Sequence, residues 1–171
     1  MSRSDMFALK PISPDSVPGA LARAERYRLL NEPNEAESIC LDILAVDPNN
    51  EAASISLALA LTDQIPQDPR AFEKALGVAG RLQTAYDRPY YSGIAWERRA
   101  KARHHRGGQG CAHDVYDWMA KALKFFETSS ALREPGNDDA ILRWNACVRF
   151  LDRHKELVPR TEEAHEPIMS E

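Results

Sequence analysis

Residues 20–50 read ALARAERYRLLNEPNEAESICLDILAVDPNN, and this stretch decides the fold. Alanine, leucine and arginine, which favour helices, dominate its first half, and alanine, leucine and glutamate recur in its second. The helical pattern is interrupted at residues 31–34 (NEPN) and again at residues 47–50 (DPNN), because proline and asparagine favour turns and helix starts. Ala24 and Ala36 are small enough to let two helices touch. The stretch therefore predicts a helical hairpin and a turn that leads into a third helix.

The composition is that of an ordinary globular domain. The chain has 171 residues, enough for one domain with its own core. Its formal net charge of −4 argues against a general nucleic-acid binder, which usually has a basic domain. The three cysteines, Cys40, Cys111 and Cys147, are too few and too scattered for a disulfide framework, so a reducing compartment is the simpler interpretation.

Neither a secretory signal nor a membrane span is evident from the sequence. Residues 1–19 contain no apolar run of signal-peptide length. The most apolar run, residues 55–61, is far shorter than the roughly 20 residues that a membrane-spanning helix needs. We therefore expect a cytoplasmic protein that does not bind membranes.

Three regions are expected along the chain. Residues 1–15 carry prolines among serines and aspartates, which predicts an extended N-terminal arm. Residues 156–171 are rich in glutamate and are expected to form a mobile acidic tail. Residues 16–155 between them form the helical domain, because their apolar residues recur at helical spacing. After the hairpin, five more helices are predicted, at about residues 51–63, 70–86, 89–105, 111–130 and 139–154.

The first hairpin resembles a tetratricopeptide repeat. That family has a repeat of about 34 residues, with small, aromatic and proline residues at set places. Ala24, Tyr27, Ala36 and Pro48 match those places in order, and Asn31 takes the place of a glycine. Two degenerate units follow, so the resemblance covers about residues 17–134 and is strongest in its first third. It implies an all-α, right-handed helical solenoid of about three helix pairs, closed by a C-terminal capping helix.

The resemblance also implies where a partner would bind. In this family a concave groove, lined by the first helix of each pair, holds extended peptides or partner helices. Leu21 and Glu25 stand where the subgroup that clamps a C-terminal carboxylate needs lysine and asparagine, so a chaperone-tail receptor is disfavoured. The implied function is a non-catalytic adaptor that binds a peptide or protein segment. By position, its groove would present Leu21, Glu25, Arg28, Ile55, Leu59, Thr62, Tyr90, Ile94, Glu97 and Arg98.

A basic segment lies near the middle of the chain. Residues 88–106 contain six Lys or Arg against one Asp or Glu. On a helix, Arg99, Arg103 and Arg106 form one stripe, and a second stripe is made by Arg98, Lys101 and His105. This helix, residues 98–106, is open to three interpretations: a solvated face, a surface for an acidic partner such as the chain's own tail, or a nucleic-acid or polyanion site. A polyanion binder that uses Arg99, Arg103 and Arg106 is the alternative function.

The sequence gives little support for metal binding or for catalysis. His104, His105, Cys111 and His113 lie within ten residues of one another, but their spacing matches no common zinc pattern. No nucleophile, base or carboxylate pair stands in a recognisable catalytic setting. We therefore expect neither a metal nor a cofactor, and we do not expect an enzyme.

The three tryptophans fall one on each of the last three predicted helices. Trp96, Trp118 and Trp144 all lie in apolar stripes at helical spacing, so we expect them in the core. The other interpretation is that they are exposed together in the groove, where they would anchor a ligand.

Overall fold

A computed structural model describes residues 7–161, and within that range it is all-helical. The N-terminal arm contributes a short 3-10 turn, Pro14–Ser16. No strand occurs between residues 7 and 161, so the predicted all-α class is confirmed there. The helices are α1 Val17–Leu29, α2 Pro33–Val46, α3 Glu51–Gln64, α4 Ala71–Ala79, α5 Asp87–Arg106, α6 Cys111–Ala131 and α7 Asp139–Arg153.

The two turns of the first hairpin act as the sequence predicts. Asn31 has a φ of 60°, a left-handed conformation that asparagine tolerates better than most residues, and it separates α1 from α2. Pro33 then starts α2, where its missing N–H group costs no hydrogen bond. At the second turn, Asn50 Oδ1 accepts a hydrogen bond from the Ala53 backbone N–H at 2.9 Å and caps α3.

Helix α4 ends earlier than its predicted end at Tyr86. It stops at Ala79, just before Gly80, and two carbonyl oxygens of the following connection are bonded by a side chain instead of by a helix. The Arg88 guanidinium donates to the carbonyl oxygens of Leu82 and Gln83, both at 2.9 Å. The Leu82 side chain is buried, which anchors this connection in the core.

Each helix packs against the next one. Beyond these neighbours, α1 also packs against α3 and α3 against α5, and side chains of α5 and α7 are in contact. The closest pairing is between α5 and α6. None of the helices in residues 7–161 is both long and apolar enough to cross a membrane.

The core consists of two clusters that share α5. The first cluster contains residues of the four helices α1, α2, α3 and α4, among them Ala24, Cys40 and Phe72, together with Ala95 of α5. The second joins α5, α6 and α7, with Phe126 at its centre. The three tryptophans are partly buried and pack against the second cluster, and Trp96 packs against the first as well. Helix α5 is therefore the element on which both halves of the core depend.

The start of the predicted acidic tail is packed rather than free. Leu157 is buried in the second core cluster, and Arg160 Nη2 lies 2.6 Å from Asp114 Oδ1 of α6. His113 Nδ1 lies 3.1 Å from the Val158 carbonyl oxygen. Residues 157–160, which the sequence assigns to the tail, therefore pack against the helices. Residues 162–171 of the tail and residues 1–6 of the arm lie outside the described range.

The three cysteines are unpaired and differ in accessibility. Burial raises the pKa of the Cys40 thiol to about 11 and that of Cys147 to about 12, whereas Cys111 is partly exposed. Both buried thiols stay protonated near neutral pH, and only the thiolate reacts with alkylating agents. We expect iodoacetamide at about pH 8 to label Cys111 in the native protein and the other two only after unfolding. Peptide mass spectrometry measures this, and equally fast native labelling of Cys147 would contradict it.

Candidate functional site

A row of ion pairs crosses three helices. Arg28 Nε of α1 donates to Asp63 Oδ2 of α3 at 2.9 Å, and Arg98 Nη2 of α5 lies 3.5 Å from Asp63 Oδ1. The side chains of Arg28 and Asp63 are only 21% and 16% exposed. One carboxylate thus holds two guanidinium groups from neighbouring helices in fixed positions.

A second set of ion pairs joins α5 to α7 through a buried carboxylate. Glu97 is 1% exposed, and its two oxygens face different cations. Oε1 accepts a hydrogen bond from Lys101 Nζ at 2.5 Å, and Oε2 accepts one from Arg143 Nη1 at 3.4 Å. Burial works to lower the pKa of Arg143, but Glu97 and the Tyr90 hydroxyl outweigh it and the pKa is raised. Glu97 is therefore neutralised internally, and it positions Lys101 and Arg143 side by side.

A pocket opens directly beside this buried carboxylate. Its volume is about 630 Å³, and it lies between α5, α7 and the connection from α3 to α4. Four of its lining side chains are cationic, and its one carboxylate is already paired. We call it the basic pocket; it is lined by Pro66, Glu97, Arg98, Lys101, Ala102, His105, Arg106 and Arg143. Its excess positive charge suits an anionic ligand.

The predicted groove residues occupy different environments. Thr62, Ile94 and Glu97 are 2%, 1% and 1% exposed, so they offer a partner little surface, although Glu97 borders the basic pocket. Arg28 and Arg98 are engaged with Asp63. Tyr90 packs against Tyr86 and Phe126 and is partly buried. Of the rest, Leu21, Ile55 and Leu59 are partly buried and Glu25 is exposed.

The predicted polyanion stripe on α5 is divided between three roles. The Arg99 guanidinium carbon lies 4.1 Å from the ring centroids of both Phe72 and Trp118, so this cation is stacked between two aromatic rings. Arg103 Nε lies 3.1 Å from Asp114 Oδ2, and its other nitrogens donate to the backbone before α6. Arg106 alone is exposed and lines the basic pocket. The second stripe, made by Arg98, Lys101 and His105, is the one that faces the pocket.

The residues weighed as metal ligands do not come together as one group. Cys111 Sγ contacts the Arg103 carbonyl oxygen at 3.4 Å, and His113 contacts the Val158 carbonyl oxygen. His105 lines the basic pocket. His104 points elsewhere, towards His154 and Glu156 beyond the end of α7. Adjacent residues on a helix point about 100° apart, which explains the separation of His104 from His105.

Sequence reasoning missed two important residues, Asp63 and Arg143. Asp63 lies at the C-terminal end of α3 and gives no local sign of its partners. Arg143 does leave a weak signal, because it stands three residues after Ala140 and four before Cys147 on the buried stripe of α7. A charge inside an apolar stripe indicates that a buried partner exists, although not which residue it is.

Comparison with known proteins assigns no family. No protein-family model matches the chain, and no curated protein matches it closely enough to count as a relative. The resemblance to tetratricopeptide repeats is therefore a hypothesis that rests on Ala24, Tyr27, Ala36 and Pro48.

Proposed function

We propose that the protein is a non-catalytic adaptor that binds an acidic protein segment in the basic pocket. The observation that carries this proposal is the pocket's charge: four cationic side chains line it, and with Lys101 and Arg143 paired to Glu97 and Arg98 paired to Asp63 it keeps an excess of positive charge. Such a cluster recognises carboxylate side chains through charge-assisted hydrogen bonds. Pro66 and Ala102 add apolar surface for the stems of those side chains.

We further propose that the helices form a tetratricopeptide-like solenoid, in which the basic pocket lies at one end of the concave face. The contacts of α1 with α3 and of α3 with α5 support this arrangement, because stacked repeats bring the first helices of successive pairs together. The ion pairs of Asp63 with Arg28 and Arg98 bridge the same three helices. The three unpaired cysteines suit a reducing compartment such as the cytoplasm.

An acidic segment is favoured over nucleic acid by the extent of the positive charge. A nucleic-acid surface contacts several phosphates along its length, which requires an extended basic patch. Here Arg99 is stacked between aromatic rings and Arg103 is paired with Asp114. Both side chains are therefore already engaged within the protein and do not extend the patch. These two arginines line a smaller pocket of about 240 Å³ with Arg106, whereas the basic pocket, at about 630 Å³, is lined by four cationic side chains.

The adaptor proposal is tested with a fluorescein-labelled hexaglutamate peptide in a fluorescence-anisotropy titration. Replacing Arg98 and Arg106 together by alanine is expected to weaken peptide binding about tenfold or more, because two charged contacts are lost. Neither residue has its side chain fully buried, so circular dichroism should show an unchanged fold.

The matched control is the Arg23→Ala, Arg26→Ala variant of α1. It removes the same charge from exposed positions outside the basic pocket, and its peptide affinity is expected to stay near the wild-type value. Equal weakening in both variants would contradict the pocket as the site. Tighter binding of single-stranded polyuridine than of the peptide, at about 0.15 M salt, would favour the nucleic-acid alternative.

A further inference from the structure

A cluster of three metal-ligating side chains lies away from the basic pocket. His104 is on the last turn of α5, His154 directly follows α7, and Glu156 is two residues further along. Their donor atoms, one from each residue, all lie within 4.8 Å of one another. Among the described residues this group brings together ligands from two distant parts of the chain, which no local sequence motif could indicate.

The distances suit a small divalent cation. Glu156 Oε1 lies 3.2 Å from His154 Nδ1 and 3.7 Å from His104 Nε2. In a tetrahedral zinc site with metal–ligand bonds of about 2.0–2.1 Å, neighbouring ligand atoms are about 3.3–3.4 Å apart. Both separations are close to this value, and all three ligand atoms lie within 4.8 Å of one another, so a cation would bind once the two imidazoles move closer together.

The two imidazoles are held in place by packing. The His104 and His154 rings lie 4.4 Å apart, and both contact Phe150, at 5.3 and 4.7 Å between centroids. Phe150 is 9% exposed and belongs to the second core cluster, so its position is fixed by the core. The histidines are each 30% exposed and Glu156 is 61% exposed, which leaves solvent access to the cluster. A site of this kind is preorganised and open to an ion from solution.

We propose that His104, His154 and Glu156 form a binding site for Zn²⁺ or a similar borderline divalent metal. Two imidazole nitrogens and one carboxylate oxygen are ligands that zinc accepts, and three protein ligands leave the fourth tetrahedral position for water. The bound ion would join the end of α5 to the segment that follows α7. It would thereby hold residues 154–160 against α6, where Leu157 and Arg160 already pack.

The site is tested with Zn²⁺ alone by isothermal titration calorimetry on the full, metal-free chain. One equivalent is expected to bind to the wild type. His104→Ala and His154→Ala are each expected to weaken binding about a hundredfold or more. Removing even a residue that only hydrogen-bonds to a metal ligand lowers metal affinity 10–100-fold, and these two residues are ligands themselves. Binding should also weaken in acid, because imidazole must lose its proton before it can ligate the metal.

Two control variants test whether zinc binding depends on this cluster or on other histidines of the chain. His105→Ala is the matched control, because it removes the neighbouring imidazole on the same helix, which lines the basic pocket instead. His113→Ala removes a second partly exposed imidazole. Both are expected to keep wild-type zinc affinity.

Binding of Co²⁺ provides an independent readout of geometry. The wild type is expected to give the intense visible absorption of a tetrahedral Co²⁺ complex, and Glu156→Gln, which keeps the side-chain shape, should lose it. The proposal is overturned if the wild type binds no stoichiometric Zn²⁺. It is equally overturned if His105→Ala lowers the affinity as much as His104→Ala does.

Discussion

Replacing Glu97 with alanine is expected to destabilise the protein by about 1–3 kcal/mol. The carboxylate is 1% exposed and serves both Lys101 and Arg143. Without it, the Arg143 guanidinium and the Lys101 ammonium, whose side chains are 34% and 42% exposed, lose their counter-charge and depend on water, and the volume of the buried side chain is left unfilled. Urea denaturation followed by circular dichroism measures the free energy of unfolding.

Two further variants show whether charge or shape is responsible. Glu97→Gln keeps the size and the hydrogen-bond acceptor but removes the charge, so its loss should be smaller than that of Glu97→Ala. Glu127→Ala on the exposed face of α6 is the matched control and should stay within about 0.5 kcal/mol of wild type. A Glu97→Ala protein as stable as this control would contradict the role of the buried ion pairs.

Replacing Gly93 with alanine is expected to destabilise the protein by about 1–3 kcal/mol, although alanine is the better helix former. A Cβ atom added at Gly93 would lie 2.7 Å from Phe126 Cε1 and 2.9 Å from Cδ1. Phe126 is fully buried in the second core cluster, so its ring has no free space into which to move. Helices α5 and α6 would have to separate. The predicted effect corresponds to a fall in melting temperature of about 2–4 °C per kcal/mol for a chain of this size.

Gly19→Ala provides the matched control for this effect. Gly19 is on α1, and an added Cβ would meet no atom within 4 Å. The same substitution should therefore raise stability by about 0.4–1 kcal/mol, because it restricts the unfolded chain. Opposite signs at the two glycines would show that close contact with Phe126 decides the result at Gly93. A stabilised Gly93→Ala protein would show that α5 and α6 are not as tightly packed as described.

Much of the helical architecture was predictable because its signals are local. The first hairpin, its turn at Asn31 and the cap at Asn50 each depend on residues within a few positions of one another. The early end of α4 was not predictable, because it depends on Arg88 and on the buried side chain of Leu82, both further along the chain.

The candidate sites depended on partners that are distant in sequence. The basic segment at residues 88–106 was evident in the sequence. The stripe that lines the basic pocket, however, is that of Arg98, Lys101 and His105, whereas anion binding was predicted for Arg99, Arg103 and Arg106. Arg99 is lost to that role because Phe72 and Trp118 enclose it, and both rings come from other helices. A periodic pattern shows which residues share a helix face, but not what the neighbouring helices place against that face.

The sequence by itself thus determined that the chain is helical, where its first helices begin and end, and that α5 is unusually basic. Propensity, capping and charge are properties of a few consecutive residues, so they can be read without knowing the fold. Only the tertiary structure decided that Glu97 is buried against Arg143 and that His104 meets His154 and Glu156. Those pairs are separated by 46 to 52 positions in the chain, and their energies depend on the burial that packing creates.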